Sequence, residues 1–206
     1  MTDPHSLTTV EQLEALYGEV GEASRRKEVD HVHPAYRAMI EASPFCVLAT
    51  SGPDGLDASP RGDPAGFVVV EDEKTLLLPD RRGNNRIDSL RNLVADPRMA
   101  LLFLIPGKGE TLRVNGRATI STEPRLLQRF GVEGKLPRSV LVVSVDAVYF
   151  QCARAIQRSR LWTSAAEGKL AAVPSAGAVL SALTDAAIDG EKYDRELPAR
   201  QRSTLY

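Results

Sequence analysis

Phe45-Cys46-Val47-Leu48-Ala49-Thr50-Ser51-Gly52-Pro53-Asp54-Gly55 is the stretch on which the fold turns. A run rich in β-forming residues enters a cluster of Ser, Gly, Pro and Asp, the pattern of a strand ending in a tight turn. Leu56 to Arg61 then pairs back as the second strand of a hairpin. Downstream the pattern repeats. Phe67-Val68-Val69-Val70 and Thr75-Leu76-Leu77-Leu78 flank the charged turn Glu71-Asp72-Glu73-Lys74, and Met99 to Ile105 and Thr111 to Ser121 flank Pro106-Gly107-Lys108-Gly109. A further strand is predicted over Ser139 to Tyr149. Only short helices, Asn85 to Val94 and Glu123 to Phe130, interrupt this series. Hairpin-linked strands without a helix between each pair argue for an antiparallel barrel rather than a doubly wound sheet. The apolar runs Val68–Val70 and Leu101–Ile105 lack clean alternation, which predicts burial on both faces, by the barrel core and by a partner subunit.

Working outward, the N-terminal side reads as helical. Thr8-Thr9-Val10-Glu11 has the form of a capping box, and Val10, Leu13, Leu16 or Tyr17, and Val20 follow at helical spacing. Gly21 to Asp30 reads as a loop. Pro34 suits the first position of a helix over Ala35 to Ala42 that buries Tyr36, Met39 and Ile40. On the C-terminal side, Arg154, Arg158 and Trp162 recur at the spacing of one helical face. Pro174 to Ile188 reads as an Ala-rich helix keeping Val179, Leu180 and Leu183 for packing, and Lys192 to Tyr206 as a charged extension. The expected organisation is therefore a helical extension over 1–42, a barrel over 43–163, and a helix and tail over 164–206.

Composition limits the functions this fold can carry. Of 206 residues 43% are hydrophobic and 26% charged, an ordinary globular balance for one core. The 26 basic and 27 acidic residues nearly cancel, so no overall field favours nucleic acid or an anionic membrane. A nucleic-acid-binding barrel would also want exposed aromatics interleaved with basic residues, and the strand runs are apolar. The N-terminal stretch lacks a signal-peptide pattern and no apolar run reaches bilayer length, which predicts a cytoplasmic protein. Cys46 and Cys152 are too few for a disulfide framework or a zinc site and read as reduced core thiols. His31 and His33 precede the barrel and read as loop rather than metal ligands.

Three segments carry chemistry. Pro79 to Arg91 places Arg81, Arg82, Arg86 and Arg91 where a strand hands over to a helix. Guanidinium groups with free helix N–H groups beside them suit a phosphate monoester, and a solvated face with ion pairs to Asp80, Asp88 and Asp96 accounts for the same residues equally well. Asp57-Ala58-Ser59-Pro60-Arg61-Gly62-Asp63-Pro64-Ala65-Gly66 is a strand end dissolving into Pro and Gly, which allows close backbone approach to a flat ligand or marks a bulged edge. Ala153 to Trp162 joins the lone tryptophan to arginines, as a ligand contact or as a stacking pair that closes the barrel.

Together, Ser59 to Phe67, Pro79 to Asn92 and Arg113 to Ala118 resemble the pyridoxamine 5'-phosphate oxidase-like family of FMN-binding split barrels, over roughly Ala42 to Trp162. The resemblance implies a six-stranded antiparallel split β-barrel, mainly β with flanking helices, that binds FMN at the interface of a homodimer. It implies Ser59 and Arg61 as flavin contacts, and Pro79, Asp80 and Arg81 along the ring and ribityl chain. Arg82, Asn85 and Arg86 match the phosphate turn, with Arg81 and Arg82 the alternatives for the phosphate itself. Thr111 stands where many relatives carry a glutamine reaching the ring, and Arg158 and Trp162 match a segment supplied by the second subunit. Relatives that oxidise the vitamer phosphate carry a lysine that Gly62 to Gly66 lacks, which points away from that substrate. The expected activity is FMN-dependent oxidation or reduction of another small molecule, and the alternative is a non-catalytic flavin or haem storage module.

Overall fold

The computed structural model describes Asp3, residues 5–163 and residues 172–206. One sheet organises the chain, with strands β1 Phe45–Gly52, β2 Gly55–Gly62, β3 Val69–Asp72, β4 Thr75–Asp80, β5 Arg98–Leu104, β6 Thr111–Ser121 and β7 Ser139–Gln151. Their spatial order is β2-β1-β5-β6-β7-β4-β3, and every neighbouring pair is antiparallel. The protein is thus mainly β, as expected. The count differs: seven strands rather than six share the sheet, and its hydrogen bonding does not close. Both edges have a physical reason for stopping. Pro60 in β2 offers no backbone N–H, and β3 carries Glu71, Asp72 and a bulge between Val70 and Asp72.

Alternation builds the core. Cys46 and Leu48 of β1, Leu101 and Phe103 of β5, and Leu112 and Val114 of β6 point inward and are fully buried. Their neighbours Val47, Leu102 and Leu104 remain half-buried on the outer face. β4 breaks the alternation. Leu76, Leu77, Leu78 and Pro79 are all buried, because α5 (Pro124–Arg129) covers the outer side, where Leu77 packs with Phe130 and Val140. Cys46 lies in the core and burial raises its thiol to about 12, whereas Cys152 is exposed, against the expectation of two core thiols.

The helices are placed by local chemistry. α1 (Val10–Tyr17) starts one residue later than expected, with Thr9 as cap and Gln12 closing the box, and none of its residues is buried. A short α2 (Glu22–Arg26) forms inside the expected loop. α3 (Pro34–Ala42) begins at Pro34, buries Ile40 and packs Tyr36 and Met39 on the core. α4 (Asp88–Ala95) starts three residues after Asn85, because Asn85 adopts a left-handed φ of 62°. It lies so close to β1 that a Cβ at Gly52 would meet Asn92 Oδ1 at 2.2 Å, and Asn92 Nδ2 donates to Thr50 Oγ1 at 3.2 Å.

α6 (Arg154–Ser159) ends at the left-handed Arg160, so Trp162 does not share a helical face with Arg154 and Arg158. The C-terminal segment also departs from expectation. α7 covers only Ala176–Leu183, with Val179 and Leu183 exposed, and the supposed charged extension is the helix α8 (Gly190–Ser203). Small residues and one carboxylate hold this helical hairpin together. Gly177 and Gly190 meet too closely for any side chain, and Asp194 accepts from Gly177 N–H at 2.7 Å and from Ser175 Oγ. The expected division at 163/164 abuts residues 164–171, which lie outside the described residues.

A cationic cleft at the ends of β2 and β4

β2 and β4 end on the same side of the molecule, and the turn that follows β4 wraps a cleft of about 670 Å3. That volume lies within the usual range for small-molecule sites, roughly 300–1,000 Å3. Five arginines, Arg61, Arg81, Arg82, Arg86 and Arg138, and three aspartates, Asp57, Asp80 and Asp88, line it, so the cleft is net cationic in an otherwise balanced protein. Phe67 and Leu90 supply apolar wall.

The β2 side is a polar network. Alternation turns Asp57, Ser59 and Arg61 to one face of the strand. Ser59 Oγ donates to Asp57 Oδ2 at 2.7 Å, and Ser89 Oγ, at the start of α4, donates to the same oxygen at 2.5 Å. These donors, Ser89 first, hold the Asp57 carboxyl below its ordinary range, helped by Arg61 and Arg86. Arg61 Nη2 stands 3.5 Å from Ser89 Oγ and 4.0 Å from Asp80 Oδ1. Asp80 moves the other way: partial burial at the end of β4 raises its carboxyl, and Arg61 and Arg138 offset only part of that.

The arginines of the turn differ in what already occupies them. Arg81 donates through Nε to Asp63 Oδ2 at 2.7 Å and through Nη1 to the Phe130 carbonyl at 2.5 Å. Asp63 keeps only 3% of its side chain exposed. Arg86 is exposed and pairs with Asp88, which raises its already high pKa. Arg82 is exposed and makes no ion pair or side-chain hydrogen bond among the described residues. Arg138 donates to Asn85 Oδ1 at 2.9 Å, and Asn84 Oδ1 accepts from the Arg86 backbone N–H at 2.9 Å, so the two asparagines shape the turn.

Of the residues singled out in the sequence, Ser59, Arg61, Pro79, Asp80, Arg81, Arg82, Asn85 and Arg86 are brought together around this cleft. Thr111, Arg158 and Trp162 are not among its lining residues. Thr111 is buried in β6 opposite Gln151, Arg158 is exposed on α6, and Trp162 Nε1 donates to the Lys108 carbonyl at 2.5 Å. Arg138 and Ser89 were missed. Arg138 lies next to Ser139, the residue that β4–β7 pairing sets opposite Asp80, and only the strand register shows it. Ser89 sits one position into α4, where Asp57 reaches it across the sheet edge. Among the described residues no group of His, Cys, Asp and Glu is arranged to hold a metal ion, and no helix is long and apolar enough to cross a membrane.

Fold and site together define a mainly β protein with an arginine-rich cleft at one end of an antiparallel sheet. Residues 32–152 match the family described as pyridoxamine 5'-phosphate oxidase, and the chain belongs to that family. Solved structures similar to it include HupZ of Group A Streptococcus, at 17% identity over 58% of this chain and 94% of that one, with a TM-score of 0.48. An FMN-binding protein of Syntrophomonas wolfei is similar at 15% identity over 55% and 82%, with a TM-score of 0.43. General Stress Protein 26 of Bacillus anthracis str. Sterne is similar at 18% identity over 55% and 88%, with a TM-score of 0.40. No curated protein matches the chain.

Proposed function

We propose that the cleft holds FMN and that the protein is a cytoplasmic FMN-dependent oxidoreductase acting on a small molecule other than the vitamer phosphate. The observation that carries this reading is the Arg82 guanidinium, unpaired among the described residues and exposed beside Arg86 and Arg138 on the rim of a cleft in a chain of this family. A cation with no partner among the described residues, on a turn that protein groups otherwise hold in place, fits an anionic ligand group. The donor set fits the rest of the cofactor too. Arg61 and the Ser59 and Ser89 hydroxyls offer polar contacts along β2, Pro79 and Phe67 offer apolar surface, and the volume suits one cofactor.

In this reading residues 43–163 form the cofactor-binding unit, with 1–42 and 164–206 as extensions, and the curled sheet works as a split barrel. FMN, when bound, supplies hydride chemistry at its ring, which needs no protein nucleophile. The chain's own groups bind and orient. Arg82 takes the phosphate, with Arg86 and Asn85 beside it, while Arg61 places positive charge where negative charge develops on the ligand. Asp80, with its raised carboxyl, is the group in the cleft suited to hold or pass a proton at Oδ1 or Oδ2. The half-buried outer face formed by Val47, Leu102 and Leu104 supports a homodimer contact. A second subunit would bring Arg158 and Trp162 toward a shared site.

Absorbance of the purified protein tests the proposal. Titration with FMN should give a protein-bound flavin spectrum, and a colourless protein that FMN leaves unchanged would sink it. Anaerobic mixing of the bound form with NADH and NADPH then separates catalysis from storage, since a flavin that neither reduces favours a storage module.

A further inference from the structure

Among the described residues, the single hydrogen bond from residues 172–206 to the remainder of the chain is that from the Tyr206 hydroxyl to Asp63 Oδ1, at 2.6 Å. The contact is more than incidental. The other oxygen of the same carboxylate, Oδ2, accepts from Arg81 Nε at 2.7 Å, and the Arg81 guanidinium lies 5.4 Å from the centre of the Tyr206 ring. Tyr206 therefore touches both members of a largely buried ion pair, one of which lines the cleft. Hydrogen bonding to Asp63 raises the Tyr206 hydroxyl further, so it remains a donor throughout the neutral range.

We propose that Tyr206 is a positioning residue of the cleft, latching the C-terminal hairpin to Asp63 and, through Asp63 and Arg81, holding the turn 81–86 on the path that presents Arg82 to a bound phosphate. The geometry gives each link a separate job. The Tyr206 hydroxyl and the Arg81 Nε–H engage different oxygens of Asp63, which orients the carboxylate plane. That plane and the Phe130 carbonyl then fix the Arg81 fork. Arg82 follows Arg81 directly, so its backbone origin is set by the same clamp. Arg81 is accordingly assigned to the wall of the cleft and Arg82 to the ligand. The part of this proposal that concerns phosphate rests on the FMN reading above; the latch itself does not.

The test uses the full-length protein and Tyr206→Phe, which removes only the hydroxyl. Hydrogen exchange without ligand should show faster exchange of the Arg86 amide, the one N–H in 81–86 that donates among the described residues (to Asn84 Oδ1), than in wild type. FMN should bind about tenfold more weakly, the order expected for loss of one charge-assisted hydrogen bond. Added to Asp63→Asn, the same substitution should cost nothing further, because Tyr206 acts through that carboxylate. Tyr193→Phe, on α8 with its ring against Arg200, is the control and should match wild type. Unchanged exchange of the Arg86 amide for Tyr206→Phe, or an equal change for Tyr193→Phe, overturns the latch. Should Asp63→Asn fail to fold, the Tyr206→Phe exchange data decide alone. If wild type binds no FMN the functional reading fails, and the exchange comparison still decides the latch.

Discussion

Arg81 and Arg82 are neighbours in the chain, lie on the same cleft, and are used in opposite ways. Arg81 is mostly buried, with an acid, a carbonyl and an aromatic ring around its guanidinium, whereas Arg82 is exposed and unpaired among the described residues. The difference shows that a basic run is not one feature. Arg81 turns into the protein while Arg82 and Arg86 stay exposed, and only a cation that the protein leaves unsatisfied is free to bind a ligand.

The largest expected effect breaks the wall. Arg81→Ala leaves Asp63 buried without its cation, a change that costs about 3–5 kcal/mol when a buried pair loses one partner. Urea denaturation should show that loss as a lower midpoint. A midpoint within error of wild type would mean that Arg81 is as free as Arg82 and would dissolve the comparison.

Next comes the ligand side. Arg82→Ala should leave stability within about 0.5 kcal/mol, since no described residue pairs with that guanidinium. FMN affinity should fall by roughly 1.5–3 kcal/mol, the range for a hydrogen bond to a charged group. Riboflavin, which lacks the phosphate, should bind both proteins alike. Titrations followed by flavin fluorescence measure all three, and an equal loss for FMN and riboflavin would move Arg82 off the phosphate. Arg86→Ala should cost FMN binding less than Arg82→Ala, because Asp88 already occupies Arg86.

This asymmetry could not be read in the sequence, although much around it could. The hairpins were legible because turn residues and β-rich runs are local signals: the β1–β2 turn falls at Pro53-Asp54, inside the expected Ser51 to Gly55, and Thr111–Ser121 is β6 with the expected bounds. The clustering of arginines after β4 was legible for the same reason. Their partners were not. Asp63 meets Arg81 although β3 and β4 lie between them in the chain, Tyr206 reaches Asp63 from far along the sequence, and Arg138 reaches Asn85 through strand register. Propensity also misled where a single cap decided the outcome. Asp189, capping at Lys192 N, turned the charged C-terminal stretch into a helix, and left-handed Arg160 stopped α6 before Trp162. Asn85 did the same to the start of α4, and in doing so opened the turn that forms the cleft rim.

The smallest expected effect extends the comparison to acids. Asp57 and Asp80 line the same cleft with carboxyls shifted in opposite directions, Asp57 down through its Ser89 and Ser59 donors and Asp80 up through burial. A carboxyl depressed in the folded state contributes stability above its ordinary range and loses it as pH falls through the folded value. One raised in the folded state contributes at low pH and loses it as pH rises through the folded value. At neutral pH, therefore, Asp57→Asn should destabilise and Asp80→Asn should stabilise, each by less than about 1 kcal/mol given the partial exposure of the cleft. In acid the Asp80 difference should shrink once pH is below the ordinary carboxylate range, and the Asp57 difference only once pH has also fallen through that carboxyl's lowered folded value, because only then is each wild-type carboxyl protonated in both states. Urea midpoints at the two pH values measure the signs. A destabilising Asp80→Asn at neutral pH would mean that attraction to Arg61 and Arg138 outweighs burial, and Asp80 would then belong with Asp63 as part of the wall rather than with the groups available to a ligand.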